Sequence, residues 1–146
     1  MIRNSILVLI CTLVISASAF AQSLTPRPIT PDSLKWSSPP DMTFLHAAWV
    51  LGSEKDSGTY VLRVKLDKGG IIPPHTHPDK RYSTVLSGTL YVGFGETFKE
   101  ADLVSVPAGG VYVAPANVPH FLLAKDGDVI YQEAGEGPTA TVLIKQ

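Results

Sequence analysis

Gly69-Gly70-Ile71-Ile72-Pro73-Pro74-His75-Thr76-His77-Pro78 is the stretch on which the fold turns. Read as an extended segment, it projects residues two apart to the same side, so His75 and His77 face one point. Just upstream, Tyr60-Val61-Leu62-Arg63-Val64-Lys65-Leu66 alternates: Tyr60, Leu62, Val64 and Leu66 share one face, and Arg63 and Lys65 take the other. Similar β-rich runs cover about 46–51, 81–87, 89–94, 103–106, 111–114, 120–124, 128–133 and 140–145. Turn formers separate them at Asp67-Lys68-Gly69-Gly70, Ser87-Gly88, Ala108-Gly109-Gly110 and Lys125-Asp126-Gly127-Asp128. A helical turn fits only Glu96–Ala101, and no segment has the length and period of a crossover helix. A parallel α/β sheet is excluded, and the close spacing of short strands predicts an all-β small barrel or jelly roll.

His120 lies 43 residues beyond His77, in Pro115-Ala116-Asn117-Val118-Pro119-His120-Phe121, at the start of another expected strand. A barrel brings it opposite the pair and sets three neutral nitrogen donors around one cation. From the residues alone, a set of unrelated loop histidines beside prolines stays open as the alternative.

Composition narrows the function classes. The 146 residues carry 12 Lys+Arg against 13 Asp+Glu, a formal charge of −1, with 17% charged residues. Neither a basic field for nucleic acid nor an acidic tail is present. The hydrophobic fraction of 45% suffices for a core, and 12 glycines with 12 prolines point to many short elements joined by turns. Cys11 is the single cysteine and makes no internal disulfide. There is no Gly-x-Ser-x-Gly elbow, Walker loop, His-Glu-x-x-His helix or Cys-x-x-Cys pair. Gly93-Phe94-Gly95 lacks the third glycine of a nucleotide loop and reads as a bulge or bend.

Residues 1–21 read as a secretory signal peptide, with Arg3, the apolar run Ile6–Ile15 and an A-x-A end at Ala19 and Ala21. Cleavage is expected after Ala21, which removes Cys11 and every thiol from the mature chain. The protein is then periplasmic or secreted, without stable membrane insertion; an uncleaved anchor is the competing reading, although the apolar run is short for a span. Residues 22–42 form a proline-rich arm in which Pro26, Pro28, Pro31, Pro39 and Pro40 leave no room for a helix or central strand. Trp36 is expected to pin that arm to the domain or to a second subunit. The barrel domain then spans 43–146. His46 reads as structural or surface-exposed, and Tyr82, Tyr91, Tyr112 and Tyr131 as core filling, with pocket lining as the alternative.

The spacing of these residues resembles the two signatures of the cupin superfamily. The first runs glycine, five residues, His-x-His, three or four residues, glutamate, six residues, glycine; Gly69, His75, His77 and Gly88 match it. The second runs glycine, five residues, Pro-x-Gly, two residues, histidine; Gly109, Pro115 and His120 match it. Asn117 replaces the inner glycine, as both types tolerate positive φ, and Ala124 replaces an asparagine that often follows. The resemblance covers about residues 58–134. It implies an antiparallel double-sheet jelly-roll barrel, often a homodimer, with His75, His77 and His120 holding a divalent transition metal: Fe, Mn, Ni, Cu or Zn.

The family's glutamate ligand falls at Arg81, which stays protonated and offers donors alone. Three readings follow. A three-histidine centre, as in the three-histidine cupin dioxygenases that the chain resembles, would leave Arg81 to grip a substrate carboxylate or enolate as a catalytic residue. A fourth ligand would otherwise come from Asp79, Glu133 or Tyr82. In the third reading the metal is lost and a His/Arg-lined pocket binds an anion. Alternatively Arg81 makes a structural ion pair with a nearby acid. Strand alternation puts Arg81, Ser83 and Val85 on one face, so Ser83 lines a site more readily than Tyr82. Two functions result: an exported metal-dependent cupin enzyme acting oxidatively on a small anionic organic molecule, or a non-catalytic small-molecule- or metal-binding cupin. The scaffold alone does not choose between them.

Overall fold

A computed structural model describes residues 28–145. The expected signal peptide (1–21) and the first six residues of the arm lie outside the described residues. Ten strands follow in order: β1 (Leu45–Leu51), β2 (Gly58–Leu66), β3 (Ile71–Thr76), β4 (Arg81–Ser87), β5 (Thr89–Phe94), β6 (Val104–Pro107), β7 (Val111–Ala114), β8 (His120–Leu123), β9 (Val129–Gly137) and β10 (Val142–Leu143). They form two five-stranded sheets, β1-β2-β9-β4-β7 and β10-β3-β8-β5-β6, with antiparallel pairing throughout. This is the expected double-sheet jelly-roll.

Inward-facing residues change character along each strand. On β4 they run Arg81, Ser83, Val85, and on β9, read backwards, Glu133, Tyr131, Val129; all six are buried. Register pairs these two series, Ser83 with Glu133 and Val85 with Tyr131. On β8, His120 precedes Leu122, which is packed into the core with Leu66, Ile72, Leu90 and Val92. One end of the barrel is therefore an apolar core, and the other carries the polar side chains. Each fully buried aliphatic contributes roughly 1.5–3 kcal/mol, so the apolar end supplies the stability on which the polar end rests.

Several expectations need correction. β3 is a strand even though it contains Pro73 and Pro74. Its pairing with β8 passes from Ile72↔Leu122 to His75↔His120 through a register shift, one extra residue on β3. The prolines lack ladder donors, and the bulge takes them out of the pairing. β9 runs on to Gly137, because Gly58↔Gly137 continues its ladder with β2. At Gly135 a Cβ would meet Tyr60 and Asp79, which explains a glycine inside this strand. β10 is only two residues long, paired at Val142↔Thr76 and Leu143↔His75. In the arm, Pro31–Ser33 form a single 3-10 turn opened by proline, where no helix was expected. The arm is pinned through Ser37, whose bridge to Ala47 joins it to β1, whereas Trp36 is 41% exposed. The expected helical turn near 96–101 is a 3-10 turn at Glu100–Asp102.

Candidate metal centre

His75 lies at the end of β3, His77 follows one residue beyond that strand, and His120 opens β8 directly opposite His75. All three side chains are buried, and each offers one nitrogen within 4.8 Å of the others'. Ring centroids stand 4.2 Å apart for His75 and His120, 4.8 Å for His75 and His77, and 5.2 Å for His77 and His120. Asn117 adopts φ 60°, and its backbone N–H donates to the His77 carbonyl at 2.7 Å. That bond locks the loop carrying His120 onto the segment carrying the pair. Asparagine is among the few residues that take this conformation readily, which explains how it replaces glycine here.

The tautomers follow from the hydrogen bonds. Nδ1 of His75 lies 2.8 Å from the Pro73 carbonyl, Nδ1 of His77 lies 2.8 Å from the Ala140 carbonyl, and Nδ1 of His120 lies 3.1 Å from the Val118 carbonyl. A carbonyl only accepts, so each Nδ1 carries the proton and each Nε2 keeps its lone pair. Nε2 of His77 and of His120 are buried without a partner in the chain. Burial, reinforced by the charge of Arg81, pushes His77 down to about 2. Burial and the neighbouring His120 push His75 down to about 4, and burial also lowers His120. All three imidazoles are neutral at pH 7, the form that ligates metal. Unpartnered Nε2 lone pairs beside Nδ1–H groups held by carbonyls fit a transition metal ion.

Arg81 is buried beside this cluster. Its Nη1 donates to Glu133 at 2.7 Å, and its Nη2 donates to Thr139 Oγ1 at 2.7 Å and to the Ala140 carbonyl at 3.3 Å. Nε sits 3.8 Å from Asp79, an ion-pair distance, yet makes no hydrogen bond. Burial opposes the guanidinium charge, but Glu133 and the other acidic neighbours outweigh it and hold the pKa above the ordinary arginine value. Among the readings weighed for Arg81, the ion pair is the contact present, and its partner is Glu133. Asp79 accepts from Tyr60 Oη at 2.6 Å and from Thr139 Oγ1 at 2.5 Å. Tyr82 is 48% exposed, whereas Ser83 is fully buried. Among the described residues, the cluster suited to share one ion consists of the three histidines, without Asp79 or Glu133.

A cavity of about 260 Å³ opens beside the cluster. His75, His77, Arg81 and Glu133 form its polar wall; Leu62, Val64 and Ile72 are part of its apolar wall, and Met42 of the arm also lines it. Sequence reasoning missed Thr139 and Ala140, which reach the site from a segment more than fifty residues from either His77 or Arg81; no local pattern marks them. His46 is held between Ser38 Oγ at 2.9 Å and Asp67 at 3.2 Å, away from the centre.

A family model described as Cupin matches residues 50–142. The chain belongs to the cupin family. Germin-like protein 3-1 of Oryza sativa subsp. japonica is 32% identical over 111 residues, covering 75% of this chain and 48% of that protein. Germin-like protein 1-1 of the same plant is 36% identical over 86 residues, covering 58% and 36%. This cupin thus spans about half the length, or less, of these curated relatives. Among solved structures, the polyketide cyclase RemF from Streptomyces resistomycificus superposes with a TM-score of 0.70 at 12% identity, covering 84% of this chain and 87% of its own. The DMSP lyase DddQ from Ruegeria pomeroyi gives 0.65 at 18% identity, covering 86% and 84%. Both share the fold of this cupin.

Proposed function

We propose that this cupin is an exported metal-dependent enzyme. It holds a divalent transition metal on His75, His77 and His120 and acts, in an oxygenase-type reaction, on a small organic acid or enol bound in the adjoining cavity. The observation that carries this reading is the convergence of three neutral, buried imidazoles whose Nδ1 protons are committed to carbonyls. A metal held there supplies Lewis acidity or, with iron, oxygen chemistry. The chain's own residues do the rest. Leu62, Val64 and Ile72 receive the apolar body of the molecule and exclude water. His75 and His77, whose Nε2 atoms would hold the metal, set it at the polar wall of that cavity, where it would meet the acidic or enolic oxygen. Arg81 places a fixed positive charge at that wall, balanced by Glu133.

Elemental analysis of protein purified from its own compartment tests the reading. Wild type is expected to hold one transition metal per chain, and a His75→Ala/His120→Ala variant none. Wild type without stoichiometric metal defeats the proposal. A second reading, a non-catalytic metal- or small-molecule-binding cupin, is favoured by one observation: an arginine already tied to Glu133 stands in the family's glutamate slot. Oxygen uptake or turnover across a panel of small acids and phenols supports the enzyme; bound metal without turnover supports the second reading. Export and self-association into a homodimer belong to the same proposal. N-terminal sequencing, expected to begin at Gln22, and analytical ultracentrifugation test them.

A further inference from the structure

We propose that Arg81 is a positioning residue for the histidine cluster: it clamps the 139–140 segment so that the Ala140 carbonyl holds His77 in its Nδ1–H tautomer. The inference deepens the metal-centre reading above and takes its use as a ligand site from there. It starts from one shared acceptor. The Ala140 carbonyl receives His77 Nδ1–H at 2.8 Å and Arg81 Nη2 at 3.3 Å, and a carbonyl has lone pairs for both. The same Nη2 donates to Thr139 Oγ1 at 2.7 Å, so the guanidinium grips two successive residues of the segment. Thr139 Oγ1 in turn donates to Asp79, which fixes its rotamer. Glu133 on β9 holds the opposite arm of the guanidinium at 2.7 Å and prevents it from swinging away.

His77 depends on this more than its partners do. His75 and His120 donate to carbonyls only two residues back in the chain, whereas His77 reaches across 63 residues. Without the clamp the Ala140 carbonyl has greater freedom to move, and His77 Nδ1 is left to the Thr141 hydroxyl at 3.4 Å, which can donate as well as accept and so does not fix the tautomer. The Nε2 lone pair is then available for only part of the time. Outer partners of this kind typically change metal affinity 10–100-fold when removed. Arginine suits the task because its planar fork reaches several acceptors at once, which a lysine ammonium on one flexible stem does not reproduce.

The test uses Arg81→Lys, which keeps a cation for Glu133 but loses the fork, and Thr139→Val, which keeps every charge. Long-range ¹H–¹⁵N NMR of the imidazoles reads the tautomer in the metal-free protein, and Zn(II) titration reads affinity. Wild type is expected to show His77 as the pure Nδ1–H tautomer. Both variants are expected to show mixed tautomers at His77 alone, with Zn(II) affinity 10–100-fold weaker for Arg81→Lys. Thr139→Ser, which retains the hydroxyl, should restore the wild-type spectrum. If Arg81→Lys does not fold, Thr139→Val carries the test. A pure Nδ1–H tautomer at His77 in the folded variants, with Zn(II) affinity within twofold of wild type, overturns the clamp. Wild type that binds no Zn(II) overturns the metal centre, while the tautomer spectra still decide the clamp.

Discussion

His75 and His120 share a local arrangement in which a proline stands immediately before each histidine and the carbonyl before that proline accepts its Nδ1–H. The proline fixes one backbone angle between acceptor and ring, so this part of the tautomer control is built into three consecutive residues. A pH dependence follows at the same scale. Folded His75 and His77 lie at about 4 and about 2, below the ordinary 6.5, so below pH 6.5 the unfolded chain binds protons that the folded chain does not. Stability is therefore complete above pH 6.5 and falls as the pH drops towards the folded values, by about 1 kcal/mol per pH unit for each histidine. Urea unfolding of the metal-free chain at pH 7 and pH 5 checks this, and equal stabilities at both would contradict it. At Asn117, φ 60° predicts that Asn117→Gly is tolerated, while Asn117→Val costs about 1–3 kcal/mol and loosens the His120 loop. Thermal unfolding together with Zn(II) affinity measures both effects.

Strands convert these residues into a site. The bulge at Pro73–Pro74 advances β3 by one residue, and this brings His75 level with His120. An unbulged ladder continued from Ile72↔Leu122 would set Pro74 opposite His120 and His75 opposite Pro119, with His75 turned to the other face, since a one-residue slip exchanges the faces of a strand. On the outer side of β8, Phe121 lies over Gly93 of β5, and a Cβ at Gly93 would strike its ring. Phe98 covers the same ring, with centroids 5.1 Å apart. Gly93→Val is thus expected to displace β8, costing about 1–3 kcal/mol and carrying His120 out of alignment. Chemical denaturation and metal content read the two consequences; unchanged metal content would show that β8 positions His120 independently of this packing. The strand pattern was legible at β2 and β4, where alternation is regular. It was not legible at β3, where prolines disguise a bulged strand, or at the end of β9, where glycine exists to admit Tyr60 and Asp79.

Across the whole barrel, the apolar end and the polar end are separable. Leu122→Ala, in the core, should lower stability by about 2–5 kcal/mol through a cavity while metal binding persists in the folded fraction. Calorimetry with and without Zn(II) distinguishes this from a substitution in the histidine cluster, which removes the metal-dependent rise in unfolding temperature. The three candidate donors were readable because each lies in a short motif with its own turn residues: Gly69 before the pair, Pro115 and Asn117 before His120. An ion pair of Arg81 with a nearby acid was readable as one alternative, but its partners were not, because Glu133, Thr139 and Ala140 come from β9 and the segment after it. The amino-acid sequence by itself determined the strand alternation, the turns and the three donor nitrogens, since these depend on backbone preferences and on spacing within a few residues. Only the tertiary structure decided that Glu133 occupies the arginine and that the Ala140 carbonyl orients His77. Those are long-range hydrogen bonds, and their geometry exists only once the two sheets have closed.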